Sequence, residues 1–394
     1  IVMTDPKKVY YTYDEIDFSC RTSAKYISES FKPDIILAIG GGGLIPARII
    51  RSVINKPIYV VSISTYDNDD NQIPNPRIKQ WMDFSDIKDK RILIVDEVEL
   101  PSKLDVGQAL VKVHTSGICG SQLGEISGVK GPDKFLPHLM GHEGVGTVIE
   151  IGEGVSKVKK GDRVVLHWRK SSGIEASFPK FNWSGKQVGA GLVTTFNEYS
   201  IVSENRITKI SENIHPPLAA LLGCSTTTAL GIISRELKFE IGQSVLIAGA
   251  GGLGLSLAQA ARMVSANPIV LIDKYTNKKE LALKNGADNF FETNNVLQDN
   301  LNSTMGSNGF DICIDTTGNV DIINDLFEAL DKRGTLLLVG QPNVNKELLI
   351  KKPLQFFSDK KIFASDGGLT NPDIDIPRYV RLIEADKINI QPII

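Results

Sequence analysis

The chain is poor in cysteine, with four among 394 residues. A disulfide framework needs an even set of cysteines crowded into a short chain, so none is expected, and a reducing cytoplasm fits. Net charge is nearly absent, −2 at pH 7, which argues against nucleic acid as a partner and leaves no polybasic membrane signal. No apolar run is long enough to span a bilayer, and no charged-then-apolar leader follows Ile1, so neither a membrane span nor a signal peptide is expected. Repeats and low-complexity tracts are missing too. What remains is an ordinary globular composition with room for two or three domains.

One glycine-rich turn stands out: Gly249-Ala250-Gly251-Gly252-Leu253-Gly254. It follows the apolar run Ser244–Ala248 and precedes a helical pattern, Leu255–Met263, which makes strand, tight turn and helix. Gly249 permits the turn, Gly251 lets backbone approach a pyrophosphate, and Gly254 allows close helix–strand packing, with Gly252 between them. A second apolar run, Ile269–Ile272, ends in Asp273, about 20 residues past the last glycine. A carboxylate there accepts from a ribose 2′-OH and repels a 2′-phosphate, so NAD is expected over NADP. Lys278, just beyond, is a further candidate for the cofactor. Later runs at Asp311–Asp315 and Thr335–Val339 alternate with helical stretches, predicting a doubly wound parallel sheet.

Upstream of that turn lie Cys119, the pair His142-Glu143, and Cys224. Two thiolates and an imidazole can hold Zn²⁺ and leave one position open, as catalytic zinc requires. A nicotinamide beside an open zinc implies hydride transfer to or from an alcohol or carbonyl. Cys20 and Cys313 sit in apolar patterns and read as small core residues.

The stretches GICGSQ, LPHLMGHEGVGTVIEIGEGVSKVKKGDRVV, FNEYSIVSENRITKI, LLGCSTTTALG and GAGGLG together resemble the zinc-dependent medium-chain alcohol dehydrogenases, in that family's order, over about residues 98 to 394. The resemblance implies one catalytic zinc on Cys119, His142 and Cys224, with Glu143 as the carboxylate beside the metal. It implies that Ser121 bonds the substrate oxygen and starts a proton relay. Trp168, just after Val164–His167, reads as a wall of the substrate pocket or as a core aromatic. His167 reads as either a pocket residue or a satisfied strand histidine, and His114, His138 and His215 as structural or surface residues. The chain also departs from the family. No cysteine lies between Cys119 and Cys224, so the structural zinc of many relatives is not expected, and Arg169–Val193 is expected as an irregular loop in place of its lobe. Gln122 stands where an acid usually supports the ligand histidine, and Gly124 leaves the relay-histidine position empty.

The first hundred residues differ in kind. VYYTYDEID, PDIILAIGGGGLIPARI, RIKQW and RILIVDEV resemble type I purine phosphoribosyltransferases of the xanthine-guanine or hypoxanthine kind. That resemblance implies strands at Asp34–Ile39, Pro57–Ile63 and Arg91–Glu97, and a helix to Val53. Gly41 and Gly42 would cradle a pyrophosphate, and Asp96 and Glu97 would hold ribose hydroxyls and Mg²⁺. The family's 5′-phosphate loop is missing: Val98–Lys103 follows instead and reads as the dehydrogenase's opening strand. Asp67–Asn71 has the composition of a polar turn, and Asn294–Asn308 that of a surface helix and loop.

The expected architecture is α/β. A truncated phosphoribosyltransferase-like segment covers 1–97, a GroES-like β-barrel catalytic domain 98–215, a Rossmann sheet 216–370, and a truncated return to the catalytic domain 371–394. The expected function is NAD-dependent, zinc-dependent oxidation of a secondary alcohol, polyol or sugar-like substrate by a homo-oligomer, with no nucleic acid or membrane partner. The alternatives are a purine phosphoribosyltransferase, or an inactive chimera of two proteins joined near Val98.

Overall fold

The computed structural model describes residues 98–390 except 127, 132, 184, 295, 296, 307, 351 and 352, together with 20, 21, 24, 25, 27, 28, 33, 35–39, 44–66, 72–80 and 92–95. Gly41, Gly42, Asp96, Glu97 and the polar stretch 67–71 lie outside the described residues. The chain divides into two compact units: Ile1–Pro101 with Phe181–Val188, and Ser102–Lys180 with Gly189–Ile394.

In the first unit, β1 (Ile35–Ile39) lies between β2 (Ile58–Tyr66) and β4 (Ile92–Val95), parallel to both, and β3 (Gln72–Gln80) pairs antiparallel with β2. Parallel neighbours need a crossover, and the helix Leu44–Ile54 supplies it between β1 and β2. Its Ala47, Ile50 and Ile54, at helical spacing, are buried with Ile36 and Ala24, and Cys20 packs against the same cluster.

One expectation fails at the join. Val98–Lys103 forms no strand; Glu99 makes only an isolated bridge to Asn182, whose Nδ2 donates to Glu99 Oε2 at 2.6 Å. Pro101 has no N–H to offer a ladder. A second expectation fails in Arg169–Val193, which holds a short hairpin, β8 (Lys180–Trp183) and β9 (Lys186–Gly189), with Gly185 at φ +80° in its turn.

The second unit starts its strands at β5 (Gln108–Ser116). With β6 (Glu143–Ile151), β7 (Arg163–His167), β10 (Tyr199–Ser203) and β11 (Ile207–Lys209) it forms an antiparallel sheet in the order β10-β5-β6-β7-β11. Ala109 and Val111, Val164 and Leu166, two apart on their strands, face one shared core, while Val165 between the last two is buried in another.

A six-stranded parallel sheet follows, in the order β14-β13-β12-β15-β16-β17. Its strands are β12 (Val245–Ala248), β13 (Ile269–Asp273), β14 (Asn289–Glu292), β15 (Phe310–Asp315), β16 (Leu330–Leu338) and β17 (Lys361–Ala364). Fully buried residues fill β12 and most of β13, because helices cover both faces of such a sheet. The strand order reverses beside β12, so the crevice for a ligand opens at its carboxyl end. Cys313 is buried in this sheet's core, where desolvation pushes its thiol well up. One large core joins the two halves of the unit, with Val145 and Val165 packed in the same cluster as Ile247 and Leu257. The fold is thus α/β, with an antiparallel GroES-like part and a Rossmann-like parallel sheet. Among the described residues, no helix is long and apolar enough to cross a membrane.

Candidate metal centre and active site

Three chain segments converge on one point. Cys119 precedes the helix Gly120–Ile126, His142 precedes β6, and Cys224 caps the helix Ser225–Gly231. One donor atom from each lies within 4.8 Å of the other two. The sulfurs of Cys119 and Cys224 are 3.9 Å apart. Two sulfurs each about 2.3 Å from one tetrahedral zinc lie about 3.8 Å apart, so the spacing fits a shared metal. It is far from the roughly 2.05 Å of a disulfide.

Electrostatics point the same way. Hydrogen bonding from Cys224, with further help from His142 and Ser121, pulls the Cys119 thiol down to about 3. The neighbouring Cys119 sulfur and burial hold Cys224 up. One proton shared by two sulfurs is what a cation would displace. Behind the pair sits Glu143, 2% exposed, with one carboxylate oxygen, Oε2, lacking any hydrogen-bond partner. Burial, then the Cys119 charge, push its carboxyl well above the ordinary range. A buried acceptor with no donor beside two sulfurs is suited to a nearby cation.

Glycines make this space, which sequence reading had not assigned. A Cβ on Gly117 would lie 2.6 Å from Glu143 Cδ, and one on Gly223 would lie 2.7 Å from Glu143 Cβ. The start of β6 is pinned by Ser116 and Thr195: their hydroxyls lie 2.7 Å apart, and each donates to Glu143 O at 3.1 Å. Being 79 positions apart, these two offered no signal in sequence.

Ser121 Oγ donates to Cys119 Sγ at 3.3 Å, which puts its hydroxyl at the centre. Gln122 accepts from Gly141 N at 2.6 Å and donates to Glu125, holding the backbone ahead of His142. Trp168 lines a cavity with Cys224, Thr227, Thr228 and Thr370. His167 fits both readings: it lines that same cavity and is satisfied as a strand histidine. Its Nδ1 donates to Arg169 O at 2.7 Å, Nε2 lies 3.0 Å from Thr208 Oγ1, and burial brings it down to about 4. His114 pairs with Thr147 at 2.8 Å. His138 lies 2.6 Å from Asp133 Oδ2, with Glu125 nearby, a second donor cluster that the sequence reading missed.

The glycine turn is built at the carboxyl end of β12. Gly249 has φ +98°, and a Cβ on Gly254 would stand 1.8 Å from Gly249 O, so only glycine fits there. A Cβ on Gly251 would meet nothing within 4 Å, so this edge is open to a ligand. Gly252 opens the helix Gly252–Met263. Asp273 ends β13; its Oδ2 accepts from Ala250 N at 2.7 Å and its Oδ1 from Tyr275 N at 3.0 Å. Lys278 ends the short turn Thr276–Lys278 that follows.

Comparison with known proteins agrees with this geometry. The family model "Alcohol dehydrogenase GroES-like domain" matches residues 105–212, "Zinc-binding dehydrogenase" matches 252–385, and "Phosphoribosyl transferase domain" matches 10–112. An S-(hydroxymethyl)glutathione dehydrogenase of Photobacterium damsela subsp. piscicida is 29% identical over 318 residues, 73% of this chain and 85% of the relative. The fold matches an alcohol dehydrogenase zinc-binding domain protein from Burkholderia ambifaria with TM-score 0.67 and 24% identity, over 74% of this chain and 85% of that one. It matches benzyl alcohol dehydrogenase from Acinetobacter calcoaceticus with TM-score 0.66 and 24% identity, over 75% and 86%. The chain therefore joins a phosphoribosyl transferase-type segment to an oxidoreductase body of the zinc-dependent medium-chain alcohol dehydrogenase family.

Proposed function

We propose that the second unit transfers a hydride between NAD and a secondary alcohol, polyol or sugar-like substrate, at one zinc held by Cys119, His142 and Cys224. The convergence of these three donors within 4.8 Å, in the unit that also carries the glycine turn, supports the reading best. Zinc bound there supplies Lewis acidity, which lowers the pKa of an alcohol oxygen toward neutrality. Ser121 takes the hydroxyl proton at its Oγ. Trp168 walls the substrate and excludes water. Glu143, buried behind the sulfurs, supplies negative charge that favours a cation there. With Gly124 at the relay position, the proton leaves through solvent rather than through a histidine. The test is a cofactor-reduction assay over an alcohol panel that includes S-(hydroxymethyl)glutathione, with metal analysis and light scattering of the same sample. Turnover with stoichiometric zinc in a homo-oligomer is expected. Folded, zinc-loaded protein that reduces no cofactor with any alcohol would sink the reading.

Cofactor choice rests on Asp273. Its carboxylate would meet a 2′-phosphate with like charge, so NAD should be favoured over NADP by about tenfold or more, roughly 1.4 kcal/mol. Asp273→Ser should narrow that gap in paired kinetics. Equal use of both cofactors by the unaltered protein would remove the assignment.

We further infer that the first unit does not transfer phosphoribosyl groups. Leu100-Pro101 stands where the 5′-phosphate cradle is expected, and Pro101 lacks an N–H. Losing several charge-assisted hydrogen bonds, each worth about 1.5–3 kcal/mol, removes useful affinity for the donor substrate. Incubation with guanine, xanthine or hypoxanthine, phosphoribosyl pyrophosphate and Mg²⁺ should yield no nucleotide. Product at an enzymatic rate would promote the phosphoribosyltransferase reading above the dehydrogenase.

A further inference from the structure

We propose that Arg169 is a specificity-determining residue: its guanidinium selects alcohols that carry an anionic group, a carboxylate or a phosphate. This rests on, and deepens, the reading of the cavity beside Cys224 as the substrate pocket of a dehydrogenase. Arg169 lines that cavity with Trp168, Cys224, Thr227 and Thr370. Among the described residues that line it, Arg169 brings a positive charge and none brings a carboxylate. A guanidinium does not lose its proton in a protein, so that charge is permanent.

The side chain is held before any ligand arrives. Its Nε donates to Thr370 O at 2.9 Å. Its Nη1 donates to Asp366 O and, at 3.1 Å, to Asp366 Oδ2. The guanidinium lies 5.9 Å from the centroid of the Trp168 ring. Gly367 allows this close packing: a Cβ there would stand 2.6 Å from Trp168 Cζ2 and 3.2 Å from Arg169 Nη1. These contacts use Nε and Nη1. Nη2, with two N–H donors, makes no hydrogen bond to any described residue.

Asp366 does not cancel this charge within the cavity. Its side chain is 81% exposed, against 21% for Arg169. Water and salt screen the aspartate, while the guanidinium borders a wall of buried Leu222, Thr227 and Thr370, where a charge acts more strongly. An anion reaching Nη2 gains a charge-assisted bond from a donor that is already ordered, so little entropy is lost in making it. A neutral alcohol leaves Nη2 to water and gains nothing there.

The experiment uses the full chain loaded with zinc and NADH, whose reduced ring carries no positive charge to attract anions itself. Calorimetric titration compares butyrate and propyl phosphate with butyramide, a neutral match for butyrate. Wild type should bind at least one of the anions about tenfold more tightly than the amide, the effect of one charge-assisted bond. Arg169→Gln keeps an amide donor and deletes the charge. It should erase that advantage and leave butyramide binding unchanged, and the anion affected names the group. Turnover of 3-hydroxybutyrate against 3-hydroxybutanamide should show the same split in kcat/KM. Wild type with no preference for either anion overturns the proposal, and needs no variant should Arg169→Gln fail to fold. A preference that survives in Arg169→Gln also overturns it, because the metal alone then holds the anion. Equal loss for anion and amide overturns it as well, leaving Arg169 as support for the loop 365–370. Wild type that binds neither zinc nor NADH overturns the dehydrogenase reading itself, and the two failures are thereby distinguished.

Discussion

Cys224→Ser is expected to strip most of the metal from the chain and reduce alcohol turnover to near background. A hydroxyl is a far poorer zinc ligand than a thiolate. Loss of a partner behind a ligand typically costs about 10–100-fold in affinity, and loss of a ligand should exceed that. Cys224 also caps the helix Ser225–Gly231 without a side-chain capping bond, so serine there removes no helix cap. Metal analysis of wild type should give one zinc per chain, and the variant far less. Full zinc retention by Cys224→Ser would dismiss the site. Two zincs per chain in wild type would point to the cluster of Glu125, Asp133 and His138 as a second binder. That cluster is already held by a direct His138–Asp133 contact of 2.6 Å, which uses the imidazole Nε2.

Gly254→Ala should be the most damaging single methyl in the nucleotide half. The added Cβ would sit 1.8 Å from Gly249 O and 3.0 Å from Gly249 C, both backbone atoms that cannot rotate away. Overpacking typically costs about 1–3 kcal/mol where side chains can yield, and this neighbour cannot. The expected outcome is a loss of at least about 3 kcal/mol in denaturant unfolding, or no folded protein. Gly251→Ala provides the contrast. Its Cβ would meet nothing within 4 Å, and its φ of −86° suits alanine. That variant should fold as wild type yet bind NAD at least tenfold more weakly, about 1.4 kcal/mol, because the methyl occupies the edge where a pyrophosphate would approach. Wild-type stability for Gly254→Ala would show that the turn can rearrange. Unchanged NAD binding by Gly251→Ala would place the cofactor elsewhere.

Much of the architecture was legible because its causes are local. Val245–Ala248 and Ile269–Asp273 are continuous apolar runs, which a sheet covered on both faces demands. The glycine turn was legible because a positive φ and a backbone approach leave room for one residue type. Val98–Lys103 misled because a resemblance to the dehydrogenase's opening strand says nothing about whether a partner strand exists, and Pro101 withholds a donor. The hairpin in Arg169–Val193 was missed because strands of four residues carry too little pattern.

The candidate centre divides along the same line. The identity of Cys119, His142 and Cys224 as zinc-type donors belongs to their side-chain chemistry and could be read directly. Their meeting, across 105 positions between the two cysteines, is a product of β5, β6 and the helix Ser225–Gly231 packing in one unit. Likewise no local pattern links Trp168 to Gly367, or Ser116 to Thr195. What the sequence by itself determined was donor chemistry, turn glycines and strand burial, each set by a residue and its near neighbours. Only the tertiary structure decided which donors lie within reach of one another, which glycines make room for Glu143, and which glycine lies against Trp168. Those depend on the packing of distant segments, where the free energy comes from buried surface and carries no signature in the order of residues.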